Sequence, residues 1–317
     1  MKILVTGTAG FIGFHLAKRL LERGEEVIGV DDLNDYYSVK LKKDRNEILQ
    51  KNPNYKFHKI DVADYEKLKE VFSDDIDCVV NLAAQAGVRY SLKNPHVYEK
   101  SNNKGFLNIL ELCKKFEIKN IVYASSSSVY GESTEIPFKE DQKLDKPISL
   151  YAATKKSNEL IAYTYHHLYN LNLIGLRFFT VYGEWGRPDM ALYKFVKNIV
   201  KGKPIDVYNN GDMKRDFTYI SDIIDGVVAA IDNPMEYEVI NLGRGEPQDL
   251  MYFIKCIEKA LGKKAMKNMM GMQPGDVPLT YADTTKAEKL LDYNPKISIE
   301  EGVKRFVEWF KQYYKVN

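Results

Sequence analysis

The 317-residue chain has little of what marks several large protein classes. Its three cysteines, Cys78, Cys113 and Cys256, are odd in number and lack C-x-x-C spacing, so neither a disulfide framework nor a zinc site is indicated. Of its five histidines, the neighbours His166 and His167 diverge by about 100° on a helix and cannot chelate one metal. No apolar stretch approaches the roughly 18 residues of a membrane span, and the first residues enter a strand directly, with no signal segment. A cytoplasmic protein without a membrane role is expected. Nor is charge of either sign in excess. Lys+Arg 46 against Asp+Glu 44 leaves +2, too balanced for nucleic-acid binding or a polybasic membrane patch. There is no internal repeat, and a run of serines is the one low-complexity feature.

What the chain does have is apolar content, 44% against 28% charged, enough for a sizeable core and two lobes. Near its start, Ile3-Leu4-Val5 reads as a buried strand, and Ile12, Leu16, Leu20 and Leu21 recur at helical spacing. Between them lies Thr6-Gly7-Thr8-Ala9-Gly10-Phe11-Ile12-Gly13. In a strand, turn and helix of this order, Gly7 and Gly10 let the backbone approach a pyrophosphate and Gly13 lets the helix pack close to the sheet. The helix N-terminus adds free N–H groups, and Phe11 and Ile12 are taken as cofactor contacts with the motif. A second strand, residues 26–30, ends in Asp31-Asp32, where an acid would accept hydrogen bonds from the adenosine ribose hydroxyls. A carboxylate there repels a 2′-phosphate, which favours NAD over NADP. Either acid can serve, and Asp31, nearer the strand end, is preferred.

The run Ser125-Ser126-Ser127-Ser128 is followed by Tyr151 and Lys155. Residues four apart on a helix share a face, so the Lys155 ammonium is expected beside the Tyr151 phenol. A cation there favours phenolate, lowering the phenol from about 10 toward neutrality, where it takes a proton from a substrate hydroxyl. The adjacent Lys156 points about 100° away and reads as a surface lysine. With 22 tyrosines and 46 Lys+Arg, a chance Tyr-x-x-x-Lys is expected, so this pair draws its weight from the glycine motif ahead of it.

Strand and helix signals alternate through the first half. Strands are expected at 56–60, 78–82, 118–124 and 173–179, and helices at 65–72, 96–116 and 150–169. Such a series predicts an α/β fold, a Rossmann-type doubly wound parallel sheet with ligands at the C-terminal strand ends. Beyond about 181 come helix signals at 191–200, 221–232, 250–261, 284–291 and 299–314, with short strands at 205–208 and 239–241. The expected organisation is an NAD-binding domain over 1–180, to which about 217–246 returns, and a smaller mixed α/β substrate lobe over 181–317.

The glycine motif, Ala83-Ala84-Gln85-Ala86-Gly87-Val88-Arg89-Tyr90-Ser91, residues 125–131, Tyr151 to Lys155, Arg177 to Gly183 and Arg215-Asp216-Phe217 together resemble the extended short-chain dehydrogenase family of nucleotide-sugar epimerases and dehydratases. Asn34-Asp35-Tyr36-Tyr37, Trp185 to Ala191 and Tyr208 to Met213 are most similar to its branch acting on UDP-glucuronate at C4. One departure is Asn81, where relatives often carry His. The resemblance implies that Tyr151 takes the proton of the sugar 4′-hydroxyl, Ser126 bonds the reacting oxygen and Lys155 binds the nicotinamide ribose of NAD. It implies Asp61 and Val62 at adenine, Leu82, Ala83, Ala84 and Gln85 along the cofactor, and Asn102 and Phe178 in its wall. On the UDP-sugar side it implies Thr180 facing the sugar, Tyr208 flanking uracil, Arg215 gripping the diphosphate and Asp276 accepting from the uridine ribose. Arg89 and Arg187 are further substrate-binding candidates, each with a surface ion pair as the competing role.

Within the family, dehydratases carry Asp-Glu at the positions of Ser127 and Ser128, and UDP-glucuronate decarboxylases carry Glu at that of Ser128. This chain has neither acid, which favours 4-epimerisation, by oxidation at C4, turning of the ketone and reduction on its other face. A uronate ketone is a β-keto acid prone to lose carbon dioxide, and Ser127, Ser128 and Thr180 are expected to hold its carboxylate out of alignment. UDP-glucose or UDP-GlcNAc 4-epimerisation, decarboxylation, dehydration and non-catalytic NAD sensing are the alternatives. A homodimer is expected, pairing helices that carry Tyr98, Phe106, Ile109, Leu112, Tyr163 and Tyr165.

Overall fold

A computed structural model of the chain describes residues 1–316. Its centre is a seven-stranded sheet whose order is Tyr237–Leu242, Asn172–Phe178, Asn120–Ser126, Cys78–Asn81, Lys2–Thr6, Glu26–Asp31 and Tyr55–Lys59, every pair parallel. Apolar runs of this kind suit strands covered on both faces. Successive side chains point to opposite faces, so Ile3, Val5, Val80 and Val122 join one core, and Leu4, Val79, Ile121 and Tyr123 the other. Helices Phe11–Glu22 and Ile220–Asp232 cover the first face, and Gly105–Lys115 and Leu150–Tyr169 cover the second. Each fully buried Leu, Ile or Phe in these layers contributes on the order of 1.5–3 kcal/mol.

Chain order reverses between Lys2–Thr6 and Cys78–Asn81, and a crevice opens at the C-terminal ends of the strands there. The Thr6 hydroxyl sets its floor by donating to Asn81 Oδ1 at 2.7 Å and accepting from the Ala83 N–H at 3.0 Å. Asn81, the departure from the family pattern, is thus a buried structural acceptor.

Several elements differ from the sequence expectation. Helix Val39–Leu49 carried no periodic signal because its buried face includes Lys42, Arg45 and Asn46. Arg45 is fully buried, donating to the Ala9 carbonyl at 2.7 Å and to the Trp185 carbonyl, so it ties the glycine turn to the loop after Tyr182. The single helix expected over 96–116 is Pro95–Tyr98, a π-helical stretch Glu99–Lys104 and then Gly105–Lys115. A stretch of that kind marks functional sites, and here it buries Asn102. Residues 239–241, read as a short strand, are part of Tyr237–Leu242, which pairs with Asn172–Phe178 in the central sheet. Small sheets follow elsewhere, as Ile205–Val207 with Lys267–Met269 and Lys214–Arg215 with Gln248–Asp249. Among the described residues no helix is long and apolar enough to cross a membrane.

Burial within the chain accounts for most of the aromatic and apolar residues noted on the two helices. Tyr98, Phe106, Ile109, Leu112 and Tyr165 are buried within the chain, and of the six only Tyr163 is exposed. The large apolar side chains left exposed on these helices are Leu107, Leu150, Leu160, Tyr163, Leu168 and Tyr169.

At Gly13 an added Cβ would stand 2.1 Å from the Gly7 carbonyl oxygen, on backbone that cannot turn aside. Gly13→Ala is therefore expected to lower stability by about 1–3 kcal/mol and to weaken dinucleotide binding by displacing the turn. Thermal unfolding and cofactor titration check this, and wild-type values in both would contradict it.

Candidate active site

A cleft of about 760 Å³ lies along the C-terminal strand ends. It brings together nearly all the residues expected from sequence: Gly7, Gly10, Phe11, Ile12, Gly13, Asp31, Asp61, Val62, Leu82 to Gln85, Ser126 to Ser128, Tyr151, Lys155, Phe178 and Thr180, with Arg89, Arg187, Tyr208, Arg215 and Asp276. Asn102 is the exception. It stands behind the wall, where its Oδ1 accepts from the Gln85 N–H at 2.8 Å and its Nδ2 donates to the Gln85 carbonyl at 3.0 Å. It shapes the lining without being part of it.

Helix Leu150–Tyr169 starts where the Ser149 hydroxyl accepts from the Ala152 N–H at 3.1 Å, and this cap fixes the phase of the helix. Tyr151 and Lys155 therefore face the end of strand Asn120–Ser126. The Lys155 ammonium donates to the Ala124 carbonyl at 2.9 Å. The Ser126 hydroxyl donates to Ser128 Oγ and accepts from the Ser128 N–H, both at 3.2 Å.

The electrostatics of the pair are set mainly by burial. Burial pushes the Tyr151 phenol above its ordinary value, against the pull of a Ser126 hydrogen bond and the Arg187 charge. Lys155 was expected to provide that pull. In this structure it is buried, pushed down to about 8 by desolvation, and bonded to a carbonyl. Ser126 and Arg187 are the groups here that favour phenolate.

The lining fits a dinucleotide. Helix Phe11–Glu22 begins at Gly10 with no side-chain cap and no acid in its first turn, leaving N–H groups and the positive helix end free for an anion. Asp31 is the better placed of the two acids. Its carboxylate accepts from the Ala9 N–H of the glycine turn at 3.1 Å and from the Leu33 N–H at 2.8 Å, whereas Asp32 accepts from the Asn34 N–H at 2.9 Å. Burial pushes the Asp31 carboxyl up and those two N–H groups oppose it. Lys42 also lines this wall, with its ammonium 2.8 Å from the Asn34 carbonyl. Sequence reading missed it along with its helix. Asp61 pairs with Lys100 at 2.6 Å.

Three guanidiniums face the rest of the cleft. Arg187 forks onto Asp189 at 3.0 and 2.6 Å, and the Tyr36 hydroxyl donates to the same carboxylate at 3.2 Å. Arg89 lies 2.7 Å from Asp276 and its guanidinium stands 4.5 Å over the Tyr208 ring. Both arginines are thus ion-paired, and both line the cleft. Arg215 donates to the carbonyls of Lys214 and Pro278, at 2.9 and 3.1 Å, and pairs with no carboxylate among the described residues. Among those residues no cluster of His, Cys, Asp and Glu could hold a metal.

Comparison with known proteins agrees with this geometry. The model of the NAD dependent epimerase/dehydratase family matches residues 3–243. Protein CapI of Staphylococcus aureus is 53% identical over 334 residues, covering 99% of this chain and 100% of its own. A UDP-glucuronate 4-epimerase of Thermodesulfobacterium geofontis is 50% identical over 311 residues, covering 98% of this chain and 96% of its own. The crystal structure of UDP-glucuronic acid 4-epimerase from Bacillus cereus, in complex with UDP-glucuronic acid and NAD, aligns with a TM-score of 0.93 at 38% identity, over 99% of this chain and 100% of that one. From the glycine turn to the Tyr151–Lys155 helix, the chain belongs to the NAD dependent epimerase/dehydratase family.

Proposed function

We propose that this protein is an NAD-dependent isomerase that converts UDP-glucuronate to UDP-galacturonate by inverting C4. The observation that carries this is the meeting, in one cleft, of Tyr151 and Ser126 with an acid-free serine run and three guanidiniums. NAD, when bound, accepts hydride from C4 and returns it to the opposite face of the ketone, so it ends unchanged. The chain's own residues do the rest. Tyr151 takes the proton of the 4′-hydroxyl and later gives one back, with Ser126 bonding the same oxygen. Arg215 and Arg89 suit the diphosphate, whose planar oxygen pairs match a guanidinium fork, and Tyr208 suits the uracil face. Asp276, bonded to Arg89, is positioned to accept from the uridine ribose once that arginine turns to phosphate.

The carboxylate is the discriminating group. Ser127, Ser128 and Thr180 line the cleft beside Ser126 and supply hydroxyls, with no acid among them. Hydrogen-bonded to these, the carboxylate lies near the plane of the C4 ketone, where the C5–carboxyl bond overlaps poorly with the carbonyl π system and carbon dioxide is retained.

We read residues 1–180 with about 217–246 as the NAD-binding domain and the remainder as the UDP-sugar lobe. A homodimer is proposed through the exposed stripe of Leu160, Tyr163 and Leu168, with Leu107 of the neighbouring helix; on the helix the first three lie near one face. A monomeric mass in solution at micromolar concentration would contradict it.

Tyr151→Phe is expected to reduce turnover of UDP-glucuronate by about 10²-fold or more while leaving NAD bound, measured by product stereochemistry and cofactor absorbance. Near-normal turnover would refute Tyr151 as the base. Ser128→Glu is expected to shift product toward UDP-linked pentose and carbon dioxide, and an unchanged product partition would show that the serine run does not guard the carboxylate. UDP-glucose is expected to turn over poorly in the same assay.

A further inference from the structure

Beneath the serine run lies a buried ion pair that the chemistry above does not use. Glu159 and Arg177 are each only 2% exposed. Arg177 Nε donates to Glu159 Oε1 at 2.8 Å and Nη2 donates to Oε2 at 2.9 Å, a bidentate fork. Burial alone would push the Glu159 carboxyl up, but the fork and the charge of Arg177 hold it below its ordinary value.

The pair touches the serine run at both ends. At the first residue of the run, the Ser125 hydroxyl donates to Glu159 Oε1 at 2.7 Å, and Ser125 is the register partner of Arg177 between adjacent strands. After the run, Arg177 Nη1 donates at 2.8 Å to the Tyr130 hydroxyl, which donates at 2.7 Å to Asn241 Oδ1. Ser126, Ser127 and Ser128 lie between these two anchors. Glu159 also stands four residues beyond Lys155 and eight beyond Tyr151, on the same face of helix Leu150–Tyr169. One ion pair therefore fixes both the helix that carries the base and the hydroxyls that face the substrate.

We infer that the Glu159–Arg177 pair is a positioning device for product fidelity, holding Ser126–Ser128 in register with Tyr151 so that the ketone is reduced before it loses its carboxylate. This rests on the proposed UDP-glucuronate epimerisation. When the run shifts, the C5–carboxyl bond can break, its electron pair passing into the C4 ketone. Carbon dioxide leaves, and the enolate takes up a proton to give a UDP-4-keto-pentose, or a UDP-pentose if the ketone is then reduced.

The test compares the wild-type protein with Glu159→Gln, Ser125→Ala and Tyr130→Phe, following UDP-galacturonate, released carbon dioxide and thermal unfolding. Ser125→Ala and Tyr130→Phe each remove one neutral hydroxyl and decide the matter if Glu159→Gln does not fold. The expected result is about a tenfold fall in kcat with KM nearly unchanged, and a several-fold rise in the decarboxylated fraction, since misplacement of about 1 Å can reduce turnover by as much as 10²-fold. Folded variants with wild-type kcat and wild-type partition, even if less heat-stable, would reduce the pair to a structural role and overturn the inference. A wild-type protein that makes no UDP-galacturonate would overturn the function itself.

Discussion

The site depends on one docking contact, the face of helix Leu150–Tyr169 against the C-terminal end of strand Asn120–Ser126. Three side chains spaced four apart along the helix meet three consecutive strand residues: Tyr151 meets Ser126, Lys155 meets the Ala124 carbonyl, and Glu159 meets Ser125. The Lys155 and Glu159 contacts are hydrogen bonds of 2.9 and 2.7 Å, and together they fix how the helix sits against the strand. Removing one partner of a buried ion pair costs about 3–5 kcal/mol because the other charge is left buried and unpaired, so neither Arg177 nor Glu159 can leave this placement alone. The geometry of base, hydroxyls and buried lysine follows from that placement.

The charges around the cleft follow the same logic. Desolvation raises the Tyr151 phenol, lowers the Lys155 ammonium to about 8 and raises the Asp31 carboxyl, so each of these groups is held less ionised than it would be in water. Their charged forms are favoured when a partner replaces the lost water, which is what a cofactor ribose or a sugar hydroxyl would do. The arginines behave differently. Arg187 and Arg89 carry their own carboxylate partners, Asp189 and Asp276, whereas Arg215 is held only by backbone carbonyls. Arg215 is therefore the guanidinium most available to an incoming phosphate.

Much of this was legible in the sequence because it is written in local patterns. Gly7, Gly10 and Gly13 sit at fixed spacing from the end of a strand into the first turn of a helix, and helix Leu150–Tyr169 was bounded correctly from periodicity and the Tyr-x-x-x-Lys pair. What was missed lies where the pattern inverts. Helix Val39–Leu49 turns Lys42 and Arg45 inward, so its apolar rhythm is absent, and with it went a cleft-lining lysine. The expectation that Lys155 activates Tyr151 came from spacing alone. Spacing says which side chains share a face but not that burial and a carbonyl would claim the ammonium. Asn102 was placed in the cofactor wall by the family resemblance, which does not show that its amide bonds the Gln85 backbone from behind the cleft lining. An amphipathic count also cannot distinguish a partner subunit from the protein's own sheet, and five of the six helix residues noted from sequence are buried within the chain.

The central claim is that C4 is oxidised and reduced again within one cleft while the carboxylate stays in place. Incubating the purified protein with UDP-glucuronate deuterated at C4, and analysing the product by NMR and mass spectrometry, tests it most directly. The account predicts UDP-galacturonate with the deuterium still at C4 and no carbon dioxide released. Loss of the label to solvent, a decarboxylated main product, or no inversion at C4 would contradict it.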